Sequence, residues 1–398
     1  MNINRDIVSA ILTHGHGKKS SFEILDWRID DIAETTSNNY TTQISRLIIR
    51  YRSPEEDDSV PKEKICFVKV PIAGPLNDLI VSSGGYEKET LMYTEVLPRM
   101  YTIEKEFFTP RLYYSDDKMS LVLKDLTQSG YKCADRVQKL DVEHCIYALK
   151  CLAKFHALSV KLETTNGLPE VVKCNAHSSA TAEKFNIFIT QQMPQFIHSL
   201  PQDLKERYPG VITYLKYLSI ETVINALNDS SFEKFNVLNH GDLSINNIMF
   251  KYDKYGIVRK AKLIDFQFTS WNSPAKDLTY FFITCMEFEE YERYFPLLLG
   301  IYLNTLNKIL HQLECPTYNM QSLLDEMNTI HAYAWYILSC SLPYLIRDPS
   351  CSIDTKFEQE HYRHISVKWF EYLARKGETI FNEYVYKMYC RGPSRNLF

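Results

Sequence analysis

Hydrophobic residues change period part-way along the chain, from two to about 3.6, which calls for a sheet-bearing part followed by a helical one. Phe22 to Ile29, Ile44 to Tyr51 and Ile65 to Val70 are rich in branched and aromatic residues and are set apart by polar loops, the pattern of a small antiparallel sheet. Between the second and third, SPEEDDSVPKEK reads as an exposed hairpin tip. After Gly84 and Gly85, YEKETLMYTEVLPRM spaces Leu91, Tyr93, Val96 and Leu97 as a helix that Pro98 should stop. LYYSDDKMSLVLKDL reads as two further strands. From Val142 the stripe Ile146, Leu149, Leu152, Ala153, His156 and Ala157 predicts a core-crossing helix, with more helices around 178–193, 211–228, 287–312, 320–346 and 358–389. The expected architecture is α+β and bilobal, with a small antiparallel-sheet lobe carrying one helix over 1–124 and a larger helical lobe over 125–398.

Composition excludes several functions. Lys plus Arg number 45 against 49 Asp plus Glu, and a net charge of -4 argues against a face built to grip nucleic acid. The ten cysteines show no CxxC, and no His pair stands at metal-ligand spacing, so free thiols in a reducing, cytoplasmic setting are expected. Ile3, Ile7, Ile11 and Leu12 share one helical face, which suits a docking helix better than a signal peptide. Met327 to Ile346 matches a membrane span in length but contains Asn328, His331, Ser339, Ser341 and Pro343, so a buried helix is expected and no membrane insertion.

The stretch VLNHGDLSINNIMFKYDKYGIVRKAKLIDFQ, residues 237–267, carries the chemistry. Ile248 to Tyr252 and Ala261 to Ile264 read as two strands joined through Asp253 and Gly256. A hairpin centred on residue 256 sets Asn247 opposite Asp265 at the open ends of its strands. Two oxygen ligands there, with Asp242 in the loop leading in, suit a hard cation such as Mg²⁺. This is phosphoryl-transfer architecture, in which a loop aspartate orients the attacking hydroxyl and accepts its proton. In KICFVKVPI, alternation puts Phe67 and Lys69 on one face and Cys66, Val68 and Val70 on the other, so a lysine leaves the middle of an apolar strand. Glu89 on the following helix is its expected partner, with Lys88, Glu87 and Glu95 as rivals there.

These residues resemble the kinase-like fold shared by protein kinases, aminoglycoside phosphotransferases and choline kinases, and most closely the ecdysteroid kinase-like family, also called CHK kinase-like. HGDLSINNIMFKYD and LIDFQ carry the resemblance, supported in family order by FVKVP, EKETLMY running to VLP, VLKDL with its following GY, LAKFHALS and SPAKDLTYFF, over residues 20 to 350. The resemblance implies a protein-kinase-like fold using ATP and Mg²⁺. It implies that Asp242 is the catalytic base, that Asn247 and Asp265 are Mg²⁺ ligands, and that Lys69 with Glu89 orients the phosphates. It further implies a hinge beside the adenine at Leu123, Lys124, Asp125 and Leu126, and a nucleotide loop containing Asn39, Tyr40 and Thr41. Asp277 would tie the catalytic loop to a helix start and His240 would brace it, while His156 is read as a satisfied core histidine. Three departures stand out: Lys124 and Ser244 replace a common Glu and Trp, and ETTSNNYTT at 34–42 lacks glycine.

The function implied is transfer of the ATP γ-phosphate to an alcohol hydroxyl of a steroid-like or other apolar small molecule, with no obligate protein partner. Asp277 follows Asp265 by only twelve residues, leaving little room for a protein kinase's activation segment. The alternatives are a choline-type kinase, for whose ammonium no aromatic cage can be placed, and a catalytically weak kinase-like ligand-binding or scaffolding protein, for which the glycine-free loop speaks.

Overall fold

Alternation in the first third does build a sheet. In the computed structural model, which describes residues 3–14, 22–31, 42–53, 60–71, 80–175, 182–228, 235–346 and 360–391, the strands are Glu23–Asp31 (β1), Thr42–Arg52 (β2), Lys62–Pro71 (β3), Leu112–Ser115 (β4) and Leu121–Lys124 (β5). They pair antiparallel in the order β1-β2-β3-β5-β4. Asn39, Tyr40, Thr41 and the rest of the glycine-free loop up to residue 41 lie outside the described residues. The helix Arg5–Thr13 (α1) is N-capped by Asn4, whose side chain accepts from Ile7 N at 3.0 Å. Its Val8, Ile11 and Leu12 pack on Leu47, Ile49, Cys66, Val68 and Val122, so one sheet face is sealed by the chain's own N-terminal helix. Lys64 Nζ donates to Ile11 O at 2.7 Å near the end of that helix. With Cys66 and Val68 committed to this core, period two sends Lys69 to the opposite face.

Pro98 does not stop the helical stretch after Gly84. Gly85–Leu91 (α2) opens into a wider turn, Met92–Val96, where Leu97 N bonds Met92 O, and then continues as Leu97–Ile103 (α3). Pro98 falls in the first turn of α3, where the widened backbone avoids the ring's usual clash with the preceding turn. The same arrangement precedes Pro343, where Leu342 N bonds Ile337 O across Ile337–Ser341.

By compactness the chain divides into two units, Met1–Lys132 with Met249–Gln267, and Cys133–Ile248 with Phe268–Phe398. The sequence reading set a single boundary at residue 124, whereas this division returns the hairpin residues 249–267 to the first unit. Five further short strands lie among the described residues: Tyr131–Cys133 (β6), Val237–Asn239 (β7), Ile248–Tyr252 (β8), Val258–Leu263 (β9) and Ser270–Asn272 (β10). Strands β6, β8 and β9 form one sheet, and β7 pairs with β10. The β8–β9 turn closes with Asp253 N donating to Ile257 O at 2.9 Å, while Asp253 Oδ1 accepts from the amides of Tyr255 and Ile257. That side chain centres the turn on residue 255, not 256, so the expected opposition of Asn247 and Asp265 does not follow from hairpin register. Lys262 Nζ donates to Phe107 O and Thr109 O, and Leu263 N donates to Phe108 O, which fastens β9 to residues 107–109.

In the second unit, Val142–Asn166 (α4) starts at an Asp141 cap that accepts from His144 N at 2.9 Å. It packs against Phe288–Gln312 (α6), and between them in sequence Ala275–Cys285 (α5) is buried along its whole length. The predicted helix at 211–228 is two pieces, Pro209–Lys216 and Ile220–Leu227, because Ser219 caps the second. The uncharged run to Ile346 buries Trp335, Ile337, Leu338 and Leu342 completely, and no helix among the described residues is long and apolar enough to cross a membrane. The cysteines among the described residues are all free. Glu360–Arg391 (α7) adds Tyr362, Ile365, Trp369 and Phe370 to the core.

Candidate active site

Each unit carries its own constellation. In the first, Lys69 on β3 is 6% exposed and Glu89 on α2 is 2% exposed, so neither charge is solvated. Lys69 Nζ lies 2.7 Å from Glu89 Oε2 and 3.2 Å from Asp265 Oδ2. Gln267 Nε2 donates to Glu89 Oε2 at 3.4 Å. Burial works to pull the Lys69 ammonium down, but Asp265 and Glu89 outweigh it and hold its pKa above that of an ordinary lysine. Burial pushes the Glu89 carboxyl up against the opposing pull of Lys69. Asp265 also holds φ at +68°, a left-handed backbone that costs a non-glycine residue about 1–2 kcal/mol. Among the described residues the ion pairs of Lys69 are with Glu89 and Asp265, not with Glu87 or Glu95, and Lys88, a cation, cannot supply one.

In the second unit the loop after β7 is held from α5. Asp277 accepts from His240 N at 2.6 Å and Gly241 N at 2.9 Å, and its own N–H donates to Asn239 Oδ1 at 3.1 Å. His156 lies 3.2 Å from Asp277 through Nε2 and 2.8 Å from Tyr302 Oη through Nδ1, and the ring is fully buried. Burial lowers the His156 pKa, so the ring is neutral. For Asp277 burial pulls upward, but the His156 hydrogen bond and the neighbouring donors prevail and hold the carboxyl below its usual range. Asp277 and His156 are therefore positioning groups, and His240 braces the loop by accepting from Asp242 N through Nδ1 at 3.4 Å. Gly241 has φ +84°, and a Cβ there would meet Phe268 O at 1.9 Å, so only glycine fits.

Asp242 is partly exposed and tied at both carboxylate oxygens. Asn247 Nδ2 donates to Oδ2 at 2.9 Å and to the Asp242 backbone carbonyl at 2.8 Å, while Tyr280 Oη donates to Oδ1 at 2.5 Å. Asn247 commits its nitrogen to Asp242, which leaves its Oδ1 as the atom with hard-cation chemistry. Tyr280 and Gln267 carry no role in the sequence reading. Tyr280 was within reach of it, since it follows Asp277 by three residues on one helical face.

At the expected hinge, Lys124 N donates to Arg111 O and Leu126 O accepts from Gly130 N, so two of the backbone groups there are engaged within the unit. The Asp125 carboxylate takes Thr127 N at 2.9 Å, Thr127 Oγ1 at 2.6 Å and Arg46 Nε at 3.0 Å, which caps the turn Leu126–Ser129. Leu123 is buried in β5 opposite Phe67.

Mg²⁺ sites that work on nucleotides use one or two carboxylates plus phosphate oxygens and water. Asp265 in the first unit and Asn247 in the second each carry an oxygen donor of that kind. Among the described residues no group of three or more His, Cys, Asp or Glu gathers as a dedicated metal cage.

The solved structures to which this chain is similar include the following three. An ethanolamine kinase of Plasmodium vivax is 13% identical, with a TM-score of 0.39, covering 90% of this chain and 83% of that one. The gentamicin complex of APH(2")-IIa is 12% identical, with a TM-score of 0.39 and coverage of 92% and 99%. A macrolide 2'-phosphotransferase of Brachybacterium faecium is 11% identical, with a TM-score of 0.33 and coverage of 92% and 98%. No curated protein matches the sequence. The profile of the ecdysteroid kinase-like family matches residues 36–315, spanning HGDLSINN, IDFQ and the Lys69 strand. The chain belongs to the ecdysteroid kinase-like family and is a small-molecule kinase.

Proposed function

We propose that the protein transfers the γ-phosphate of ATP, with Mg²⁺, to an alcohol hydroxyl on a steroid-like or other apolar small molecule. The observation that supports the nucleotide side is the buried Lys69 ammonium held between Glu89 and Asp265, a cation kept charged, which we propose meets the phosphate oxygens. Asp265 and Asn247 are the proposed Mg²⁺ ligands, and the ion, when bound, would neutralise phosphate charge. Leu123, Lys124, Asp125 and Leu126 are proposed to flank the adenine, and Asn39, Tyr40 and Thr41 to belong to the loop over the phosphates.

Asp242 is proposed as the base. Its carboxylate would accept the acceptor's hydroxyl proton as that oxygen forms its bond to phosphorus and the bond to the leaving ADP breaks. The steroid-like acceptor is supported by the match to the ecdysteroid kinase-like family. A reducing, cytoplasmic setting is supported by the free buried thiols.

The test has two parts. ATP with Mg²⁺ should raise the melting temperature of the wild type, and Asp265→Ala should lose that rise while staying folded. Incubation with ATP, Mg²⁺ and a metabolite extract, read by mass spectrometry, should yield a phosphate monoester of an apolar alcohol. Asp242→Asn should slow its formation by a factor on the order of 10² to 10⁴. An unchanged thermal shift in Asp265→Ala, wild-type transfer in Asp242→Asn, or phosphate on nitrogen or carboxyl would overturn the assignment.

A further inference from the structure

Helix α5 acts on the loop 240–243 at several points along one flank. Asp277 holds the amides of His240 and Gly241, and Cys285 Sγ donates to Leu243 O at 3.4 Å near the other end of the helix. Between them Tyr280, 7% exposed, sends its phenol to Asp242 Oδ1 at 2.5 Å. The first contacts fix where the loop backbone runs. They act on the backbone and do not themselves orient the Asp242 carboxylate. Asn247 restrains one oxygen, at 2.9 Å, and a single hydrogen bond still allows rotation about itself. A second donor on the other oxygen fixes the carboxylate plane. Tyr280 is suited to this because an aromatic side chain has two torsions, both restrained here by burial, so its oxygen has little freedom once the helix is placed.

We propose that Tyr280 is a positioning residue for phosphoryl transfer, its phenol O–H clamping Oδ1 of Asp242 so that the base meets the acceptor hydroxyl in one orientation. This rests on the reading of Asp242 as the base and adds a residue to it. Loss of the clamp broadens the carboxylate's orientations and lowers the fraction aligned for proton transfer, while nucleotide contacts are untouched.

The experiment uses the full chain as wild type, Tyr280→Phe, Asp242→Asn and the double variant, with [γ-³²P]ATP, Mg²⁺ and water as the acceptor. Tyr280→Phe keeps the ring that fills the core, and the melting temperature of each variant without ligand reports that it is folded. Tyr280→Phe should lower kcat for hydrolysis by about 10-fold with KM for ATP unchanged. In the Asp242→Asn background the same change should have no further effect, because a group acting through Asp242 has nothing left to act on. A kcat in Tyr280→Phe equal to or above wild type overturns the proposal, the second outcome meaning that the phenol shields the base from water. Losses that multiply in the double variant, or a rise in KM matching the fall in kcat, overturn it too. A fall in Asp242→Asn with none in Tyr280→Phe removes Tyr280 alone, whereas a wild type without ATP-induced stabilisation removes the reading of Asp242 as the base of an ATP-dependent transfer and this proposal with it.

Discussion

Lys69→Met keeps most of the apolar stem and deletes the charge. In the wild type the Lys69 and Glu89 side chains are 8% and 3% exposed, and Asp265, at 28%, is the better hydrated of the two acids. Without the ammonium, Glu89 is left buried beside Asp265 with no counter-charge. Breaking a buried pair by removing one partner costs about 3–5 kcal/mol. Glu89 can relieve part of this by taking a proton. Its folded pKa already lies above the ordinary 4.5 through burial, and losing Lys69 raises it further. Between the unfolded and folded values the folded protein then binds one more proton than the unfolded chain, so stability falls as pH rises through that window. Because Glu89 already sits at about 7 in the wild type, the penalty of Lys69→Met should be small near pH 5 and grow as pH rises past 7, by about 1.4 kcal/mol per pH unit toward a ceiling of about 3–5 kcal/mol. Urea denaturation near pH 5 and above pH 8 reads this, and Lys69→Met/Glu89→Met should recover most of the loss at high pH. A variant as stable as wild type at high pH, or a penalty that grows on acidification, would refute the reasoning.

Two further outcomes follow from the second unit and the hairpin. Gly241→Ala should destabilise by more than Gly256→Ala, whose left-handed φ of +79° has nothing within 4 Å of the added methyl; the latter should cost about 1–2 kcal/mol, and equal melting temperatures would remove the Phe268 clash as the cause. His156 is neutral in the fold because burial lowers its pKa, whereas an unfolded histidine binds a proton below 6.5, so its contribution is present at neutral pH and is lost as pH falls through that value. The melting-temperature gap between wild type and His156→Gln should accordingly narrow from pH 7.5 to pH 5.5, and a constant gap would mean that His156 does not titrate between the two states.

Periodicity carried most of what the sequence could convey. Alternation in KICFVKVPI alone put Lys69 opposite Cys66 and Val68, and HGD with IDFQ pointed to the family. What escaped was decided by groups that leave no period. Pro98 looked like a stop because a standard helical turn cannot hold it, and the widened turn over Met92–Val96 has no compositional mark. The hairpin centre moved because one carboxylate, Asp253, captured two amides, a choice of one turn over another worth little energy. Tyr280 was hidden in plain apolar company in DLTYFF, where a buried tyrosine looks like core until the partner of its hydroxyl is known. The division of the chain into units was illegible for another reason: compactness depends on contacts far apart in sequence, and the hairpin's contacts are with residues 107–109 and 131–133.

That discontinuity bears on how the protein is made. A ribosome delivers residues 1–132 first, but the sheet that β6 begins, and the donors that satisfy the carbonyls of Phe107, Phe108 and Thr109, arrive only with residues 249–263. At about 5–20 residues per second the delay is on the order of ten seconds, long compared with the folding of a small domain. The first unit must wait, with unpaired strand edge and orphan carbonyls, while the first half of the second unit is synthesised. A nascent chain of this kind is a natural client for holding chaperones, and a fragment cut after Lys132 would be expected to aggregate where the complete chain does not.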